Sequence, residues 1–200
     1  MSTPLTCPIS LAEFDASVTH IDKAVTLPPA AYTDTDFYEF ERAAVFDRSW
    51  LCVGRLDEIP NEGDFFTTTL PGEEKVIVAR GCSNEVHVIS AVCQHRGMCV
   101  TAPVKRDRSS WRVEPGEQRG NTRTFRCPYH WWTYGLDGQL LGAPDMSHRE
   151  DFTRSDFRLP ALSTELWNGF IFANFDADAE PLGPSLVKAT DLLANYHLED

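Results

Sequence analysis

The chain has 200 residues, 42% of them hydrophobic and 24% charged, which is typical of a globular domain with a sizeable core and excludes a disordered chain. Its 30 acidic residues outnumber its 18 basic residues, and the formal net charge of −12 argues against nucleic acid as a partner. No segment approaches the roughly 20 apolar residues of a membrane span and no secretory leader is visible, so we expect a cytoplasmic protein with no membrane partner.

The first 48 residues are expected to form an arm and one helix. Residues 1–31 contain several prolines and little periodicity, which predicts an extended arm. The segment Thr33–Asp36 has the polar residues typical of a helix start, with an acid three positions after Thr33. Phe37, Phe40 and Ala44 then recur at helical spacing, so we predict a helix over 35–48 with one apolar face.

The character of the sequence changes near residue 49, where short β-rich runs follow one another. The expected strands are 50–55, 64–70, 75–79, 86–92, 123–126, 132–141 and 168–175. Asp137-Gly138 and Asn168-Gly169 are typical of tight hairpin turns. Many short strands at this spacing predict a mainly β, antiparallel sandwich or barrel-like domain over 49–176.

Beyond this domain the sequence predicts a linker and then a helix. Residues 177–184 are acidic and proline-rich, and over 185–198 the apolar residues Leu186, Ala189, Leu193 and Tyr196 share one side of a helix. The apolar face has no partner within the sequence. We therefore expect 177–200 to be a linker and the start of a truncated second domain.

Two short motifs carry the chemistry, and each follows a predicted strand. One is Cys93-Gln94-His95-Arg96-Gly97 and the other is Cys127-Pro128-Tyr129-His130. Cysteines of a cytoplasmic protein are more often metal ligands or core thiols than disulfides. Two thiolates and two imidazoles suit either a tetrahedral zinc ion or a Rieske cluster, in which two Cys bind one iron and two His bind the other. One Cys and one His on each of two hairpin tips favours the cluster over zinc.

The residues around these motifs resemble the Rieske non-heme iron ring-hydroxylating oxygenases, in their large or α subunit. The similar sequence continues through Trp132-Thr-Tyr-Gly-Leu-Asp-Gly138. Upstream, the similarity includes Trp50–Gly54 and Glu58–Asp64. The resemblance covers most of residues 25–198. It implies a Rieske [2Fe-2S] fold with an N-terminal helix, followed by a catalytic domain that this sequence lacks.

The resemblance also implies roles for individual residues. The metal ligands would be Cys93, His95, Cys127 and His130. Contacts to the cofactor would come from Arg96, Trp132 and Tyr134, with the Tyr134 hydroxyl donating to a ligand sulfur. Respiratory Rieske proteins carry an extra cysteine and a serine where this chain has Tyr129 and Trp132. Fewer hydrogen-bond donors to the sulfur atoms of the cluster predict a reduction potential near the bottom of the range of Rieske clusters, about −150 to +300 mV.

Two features depart from the family pattern. The 31 residues 96–126 between His95 and Cys127 are more than the family usually has, with the extra length around Val104–Thr122. Lys105, Arg106 and Arg108 make this insertion basic, so it is either a docking site for an acidic electron donor or a solvated variable loop. In addition, Trp131 replaces a glycine that commonly follows the second histidine.

The activity implied by the resemblance requires more chain than is present. A ferredoxin or flavin-dependent reductase would pass electrons to the cluster. The cluster would pass them to a mononuclear Fe(II), which would activate O2 to hydroxylate or demethylate an aromatic or quaternary ammonium substrate. The family usually forms homotrimers. The iron's two histidines and one carboxylate are not visible in this sequence, so we expect no catalytic residue in it.

A stand-alone Rieske ferredoxin is the alternative function. Such carriers are shorter and lack the arm and helix before Trp50. The reading frame past Asp200 discriminates between the two: a stop codon favours the carrier, and a further domain with a two-histidine, one-carboxylate motif favours the oxygenase.

Overall fold

A computed structural model describes residues 6–102, 104–107, 110–113 and 118–199, with the backbone alone described over 104–107 and 110–113. The chain divides into two compact units, Met1–Ser49 and Trp50–Asp200.

The first unit is helical. It contains the 3-10 helix Leu11–Phe14, the helices α1 (Ala30–Thr33) and α2 (Thr35–Ala44), and the 3-10 helix Phe46–Arg48. The prediction of an extended arm is therefore wrong at Leu11–Phe14, where the Glu13 carboxylate accepts a hydrogen bond from the Ser10 backbone and stabilises a turn.

The predicted helix starts at Thr35 as expected, but it is shorter than predicted. Asp34 is its N-cap, because its carboxylate accepts a hydrogen bond of 3.0 Å from the Phe37 amide. Thr33 belongs to the preceding turn, where its hydroxyl donates to the Pro29 carbonyl. The helix ends at Ala44, before the β-branched Val45, so the prediction of helix as far as residue 48 was too long.

The second unit is built from short antiparallel strands, which confirms the predicted fold class. The strands are β1 (Leu51–Arg55), β2 (Asp64–Leu70), β3 (Glu74–Arg80), β4 (Val86–Ser90), β5 (Val104–Asp107), β6 (Ser110–Val113), β7 (Arg119–Asn121), β8 (Phe125–Arg126), β9 (Thr133–Tyr134), β10 (Leu140–Gly142), β11 (Ser163–Trp167) and β12 (Phe170–Asn174). They form sheets in the orders β1-β12-β11, β10-β9-β8, β4-β3-β2-β7 and β5-β6.

Strand β3 lies at the centre of this unit because both of its faces are buried. Alternate side chains of a strand point to opposite sides. Val76 and Val78 pack into one core, whereas Ile77 and Ala79 pack into the other. All four are 0% exposed. The four-stranded sheet is therefore the middle layer between the two three-stranded sheets.

The two cores have different memberships. The first, which we call the sandwich core, consists of Val53, Ile59, Phe66, Leu70, Val76, Val78, Val88, Ile171 and Ala173. The second, which we call the loop-side core, consists of Ile77, Ala79, Ile89, Ala91, Cys93, Val100, Phe125, Cys127, Trp132, Tyr134, Leu136, Leu140 and Leu159. Both motif cysteines belong to the loop-side core, so the two motifs rest on the same packed layer.

Two hairpins differ from the predicted strand pattern. The segment predicted as one strand over 132–141 is β9 and β10, joined by a turn in which the Asp137 carboxylate accepts a hydrogen bond from the Gln139 amide. The predicted turn at Asn168-Gly169 joins β12 to β11, a strand that the sequence did not predict. Its residues Ser163–Trp167 are half-buried or exposed, which gives a weaker pattern than a core strand has.

The insertion is more regular than a loop. Strands β5 and β6 form a hairpin with Val104 opposite Val113, and β7 pairs with β2 as the edge strand of the four-stranded sheet. The loop interpretation of this segment is therefore wrong for these strands. The side chains of Lys105, Arg106 and Arg108 lie outside the described residues.

The last part of the unit contains α3 (Leu182–Ser185), α4 (Val187–Leu193) and a 3-10 helix at Ala194–Tyr196. The last two lie within the predicted helix over 185–198, whereas α3 begins inside the predicted linker, so the linker prediction is wrong over 182–184. Among the described residues, no helix combines the length and the apolar character needed to cross a membrane.

Replacing Gly63 with alanine is expected to lower the free energy of unfolding by about 2–4 kcal/mol. Gly63 has φ +87°, and an added Cβ would lie 2.6 Å from the Thr122 carbonyl oxygen, whose residue donates a backbone hydrogen bond to Gly63. Gly183→Ala is the control, because nothing lies within 4 Å of its Cβ position. Urea denaturation of both variants measures the difference, and equal stabilities would contradict the prediction.

Candidate metal centre

The two motif loops have the same backbone hydrogen bonds. In the first, the Gly97 amide donates to the Cys93 carbonyl (3.0 Å) and the Cys93 amide donates to the Met98 carbonyl (2.9 Å). In the second, the corresponding bonds join Trp131 to Cys127 (3.0 Å) and Cys127 to Trp132 (2.8 Å). Each cysteine therefore begins a tight turn of the same shape. The histidine is at the third position of the first turn and at the fourth position of the second.

Both cysteines are buried beside Tyr134. Cys93 is 2% exposed and Cys127 is 1% exposed. The Tyr134 hydroxyl lies 3.3 Å from the Cys93 sulfur and accepts a hydrogen bond of 3.1 Å from the Gln94 amide. Its one proton is therefore available to the sulfur. Burial raises the pKa of the Cys127 thiol and that of the Tyr134 hydroxyl.

The two histidine rings meet edge to face with their centroids 4.6 Å apart. The Nδ1 atom of His95 is buried and has no hydrogen-bond partner among the residues that the structure describes. Burial lowers the pKa of His95, and electrostatic repulsion from His130 and Arg96 lowers it further. His95 is thus held as a neutral imidazole, the form that binds metals.

Trp132 fixes the plane of the His95 ring. The indole and the imidazole are stacked at 4.9 Å with 7° between their planes. Phe152 and Phe157 meet the indole edge-on at 5.7 and 5.6 Å. The sequence identified Trp132 but not these two phenylalanines, because they follow the second motif by more than 20 residues in a segment without a strand pattern.

The structure brings the predicted site residues together around the two loops. Arg96 is exposed, and its charge acts on His95. Sequence reasoning missed the backbone contribution: amides of Tyr129 and His130 donate hydrogen bonds to the Cys127 sulfur, which oppose the rise in its pKa. Among the described residues, no three His, Cys, Asp or Glu side chains are placed to hold a single metal ion.

The remaining cysteines are free thiols with other neighbours. The Cys99 sulfur lies 3.4 Å from the Thr101 hydroxyl, and the exposed Cys82 sulfur lies 3.2 Å from the Glu62 carboxylate. Hydrogen bonding and repulsion from that carboxylate raise the pKa of Cys82. Cys99 packs against the loop-side core, whereas Cys82 lies in the turn between β3 and β4.

Trp131 occupies a backbone position that favours glycine. Its φ is +61°, whereas Gly97 has φ +70° at the equivalent position of the first turn. A side chain in this left-handed region costs about 1–2 kcal/mol. The indole is also 64% exposed, so little burial offsets that cost. The family's usual glycine at this place therefore has a conformational reason.

We expect Trp131→Gly to have a free energy of unfolding about 0.5–1 kcal/mol above that of Trp131→Ala. Both variants remove the indole, but only glycine removes the backbone strain, and its greater freedom in the unfolded chain offsets part of the gain. Urea denaturation of the two variants measures the difference. An alanine variant at least as stable as the glycine variant would show that position 131 is not strained.

Comparison with known proteins agrees with this geometry. Residues 49–161 match the Rieske [2Fe-2S] domain family. The chain is 33% identical over 178 residues to the α subunit of biphenyl 2,3-dioxygenase from Rhodococcus jostii RHA1, which covers 88% of this chain and 35% of that protein. It is 29% identical to the glycine betaine monooxygenase oxygenase subunit of Pseudomonas aeruginosa. That match covers 90% of this chain and 38% of the relative.

Solved structures give the same result at the level of the fold. A quaternary ammonium Rieske monooxygenase in its apo form superposes with a TM-score of 0.74 at 28% identity, covering 88% of this chain and 48% of that one. Naphthalene 1,2-dioxygenase from Rhodococcus sp. bound to indole superposes with a TM-score of 0.70 at 30% identity. The match covers 84% of this chain and 36% of the dioxygenase chain.

The chain spans 35% to 40% of the length of the curated relatives that it matches. Its cofactor is the Rieske-type [2Fe-2S] cluster, and in the homologues the mononuclear iron belongs to the catalytic domain. The chain therefore belongs to the Rieske [2Fe-2S] domain family, in the group formed by the α subunits of Rieske oxygenases.

Proposed function

We propose that Cys93, His95, Cys127 and His130 hold the cluster, and that the chain relays single electrons from a donor protein to the mononuclear iron of an oxygenase. The observation that carries this proposal is the buried, unpartnered Nδ1 atom of His95. Buried polar atoms in proteins almost always have a partner, because burying one without a partner costs free energy. A metal bond to this nitrogen supplies the missing partner.

The chemistry of the donor set fits a Rieske cluster. Two sulfur atoms and two imidazoles on paired loops are the ligands that such a cluster uses, with both thiolates on one iron and both histidines on the other. When bound, the cluster supplies one-electron redox chemistry. The raised pKa of the Cys127 thiol means that metal binding displaces its proton, and the lowered pKa of His95 leaves that ring ready to bind.

The residues around the ligands position them and tune their charge. Trp132 holds the His95 ring in one plane, so Nδ1 points inward and Nε2 is left to hold a proton and to hydrogen-bond a partner. With Cys93 as a thiolate, the Tyr134 hydroxyl would donate to its sulfur, which lies 3.3 Å away. Because few side chains among the described residues donate hydrogen bonds to the cysteine sulfurs, we expect a low midpoint potential for the cluster. It should lie near the bottom of the range of Rieske clusters, about −150 to +300 mV.

The parent activity follows from the α-subunit relatives. We propose that the full protein is a homotrimeric oxygenase that receives electrons from a ferredoxin or flavin-dependent reductase. It would use O2 to hydroxylate or demethylate an organic substrate. The relatives include both an aromatic-ring dioxygenase and a quaternary ammonium monooxygenase, so aromatic and quaternary ammonium compounds are the two substrate classes to test. A cytoplasmic location is part of the same proposal, since none of the six cysteines, all within the described residues, forms a disulfide.

Anaerobic purification and electron paramagnetic resonance test the cluster assignment. We expect brown protein with about two iron atoms and two acid-labile sulfides per chain. After reduction by dithionite it should give a Rieske signal, with an average g value below that of all-cysteine clusters. Colourless protein that contains zinc and no sulfide would overturn the assignment.

A further inference from the structure

Three aromatic side chains stand in series behind the His95 ring. The Trp132 indole lies 4.9 Å from that ring, is parallel to it within 7° and is 3% exposed. Phe152 and Phe157 both meet the indole edge-on, and they stack on each other with their centroids 5.0 Å apart. These distances and edge-to-face angles are those that aromatic pairs favour. The indole that contacts the imidazole is therefore itself held by two further rings.

The backbone of Phe157 is fixed to the hairpin that carries Trp132. Its carbonyl accepts two hydrogen bonds of 3.1 Å, one from the Leu140 amide and one from the side-chain amide of Gln139. Leu140 begins β10, Gln139 immediately precedes it, and Trp132 immediately precedes β9. The phenylalanine ring thus cannot move away from the indole unless these hydrogen bonds break.

Burial accounts for less of the packing of these two rings than it does for a core phenylalanine. Phe152 and Phe157 are half-buried and pack at the margin of the loop-side core, whereas Phe125, a member of that core, is 3% exposed. The free energy gained from burial is proportional to the apolar area removed from water. The contact with the indole is therefore the specific contribution of this pair.

His130 is supported differently. Its ring meets His95 edge to face, and its other aromatic neighbour is Tyr129, with centroids 3.8 Å apart. Tyr129 is 58% exposed, so its ring is open to solvent, whereas Trp132 is buried. The two imidazoles thus differ in the firmness of their surroundings, and the firm one belongs to the histidine with the buried, unpartnered Nδ1 atom.

We propose that Phe152 and Phe157 are positioning residues, which act through Trp132 to hold the His95 imidazole in the orientation that binds iron. The proposal rests on the proposed function, in which His95 is a ligand of the cluster. Residues that orient a metal-binding histidine commonly do so by a hydrogen bond, and losing one lowers metal affinity about 10- to 100-fold. Here a stack of rings does the same work.

Phe152→Leu and Phe157→Leu, each in the cluster-loaded protein, test this role. Leucine keeps an apolar side chain and removes the ring. Pulsed electron paramagnetic resonance of the reduced protein measures the couplings of the two histidine nitrogens, and excess EDTA measures the rate of iron loss. We expect full iron and sulfide content, a change in one nitrogen coupling with the other preserved, and iron loss about tenfold faster. An imidazole that is free to tilt leaves the iron more often.

Phe65→Leu is the matched control. Phe65 is half-buried, packs against the same core and meets Phe125 edge to face at 5.2 Å. This variant should show a fall in its urea midpoint similar to that of the leucine variants, but it should keep both nitrogen couplings and the parent rate of iron loss. Phe157→Tyr keeps the ring and should match the parent in both measurements. The two leucine variants are separate proteins, so one of them decides the question if the other does not fold.

The outcomes separate this inference from the proposed function. Unchanged couplings and unchanged iron loss in leucine variants that carry the cluster would reject the positioning role and leave the proposed function standing. The same changes in Phe65→Leu would also reject it, because they would show a general loosening of the core. A parent protein without a Rieske signal would reject the proposed function, and this inference with it.

Discussion

Replacing Cys127 with serine is expected to lower the bound iron and sulfide by more than about tenfold. Cys127 is 1% exposed inside the loop-side core, and its sulfur receives hydrogen bonds from the amides of Tyr129 and His130. Serine keeps the shape of the turn but replaces a soft thiolate with a hard oxygen that stays protonated near neutral pH. Metal analysis, a sulfide assay and the visible spectrum measure the loss.

Cys99→Ser is the matched control for this experiment. Cys99 follows the first motif closely and is half-buried, and its sulfur lies within hydrogen-bond distance of the Thr101 hydroxyl. This variant should retain the full amount of iron and sulfide. A Cys127→Ser protein with normal metal content, or a Cys99→Ser protein without it, would reject the ligand assignment and leave the family membership intact.

The Cys and His pairs that we propose as ligands stand out in the sequence because their spacing is local. Cys and His within one turn of each other, followed by Trp132 and Tyr134, identify the cofactor without knowledge of the fold. The strands that support them were also predictable where a strand is a dense apolar run, as in β3. The fold class and the cofactor were confirmed for this reason.

The features that the sequence missed depend on distant partners. Strand β7 contains Arg119, Gly120 and Asn121, which favour a loop, and it is extended because β2 supplies its hydrogen bonds. Likewise, Phe152 and Phe157 support Trp132 only after the chain has folded back. The departure at Trp131 was visible as an unusual residue, but its left-handed backbone was not, because the turn is defined by bonds to Cys127.

Replacing Tyr134 with phenylalanine is expected to lower the midpoint potential of the cluster by about 40–60 mV. The reduced cluster carries one more negative charge than the oxidised cluster, so a hydrogen bond to the Cys93 sulfur stabilises it more. Losing that bond, 3.3 Å long in the structure, therefore disfavours reduction. A difference of roughly 1 kcal/mol between the two redox states corresponds to this shift for a one-electron couple. Spectroscopic redox titration measures it.

The same substitution should lower the free energy of unfolding by about 1–3 kcal/mol, because the Gln94 amide loses its acceptor inside the structure. Tyr129→Phe is the control: it removes a phenol whose hydroxyl has no hydrogen-bond partner among the described residues, and it keeps the stack on His130. The control should match the parent in potential and in stability. If Tyr134→Phe lost stability while its potential stayed within about 10 mV of the parent, Tyr134 would serve the loop and not the sulfur. A shift in potential in both variants would instead indicate a general change in the solvent exposure of the cluster.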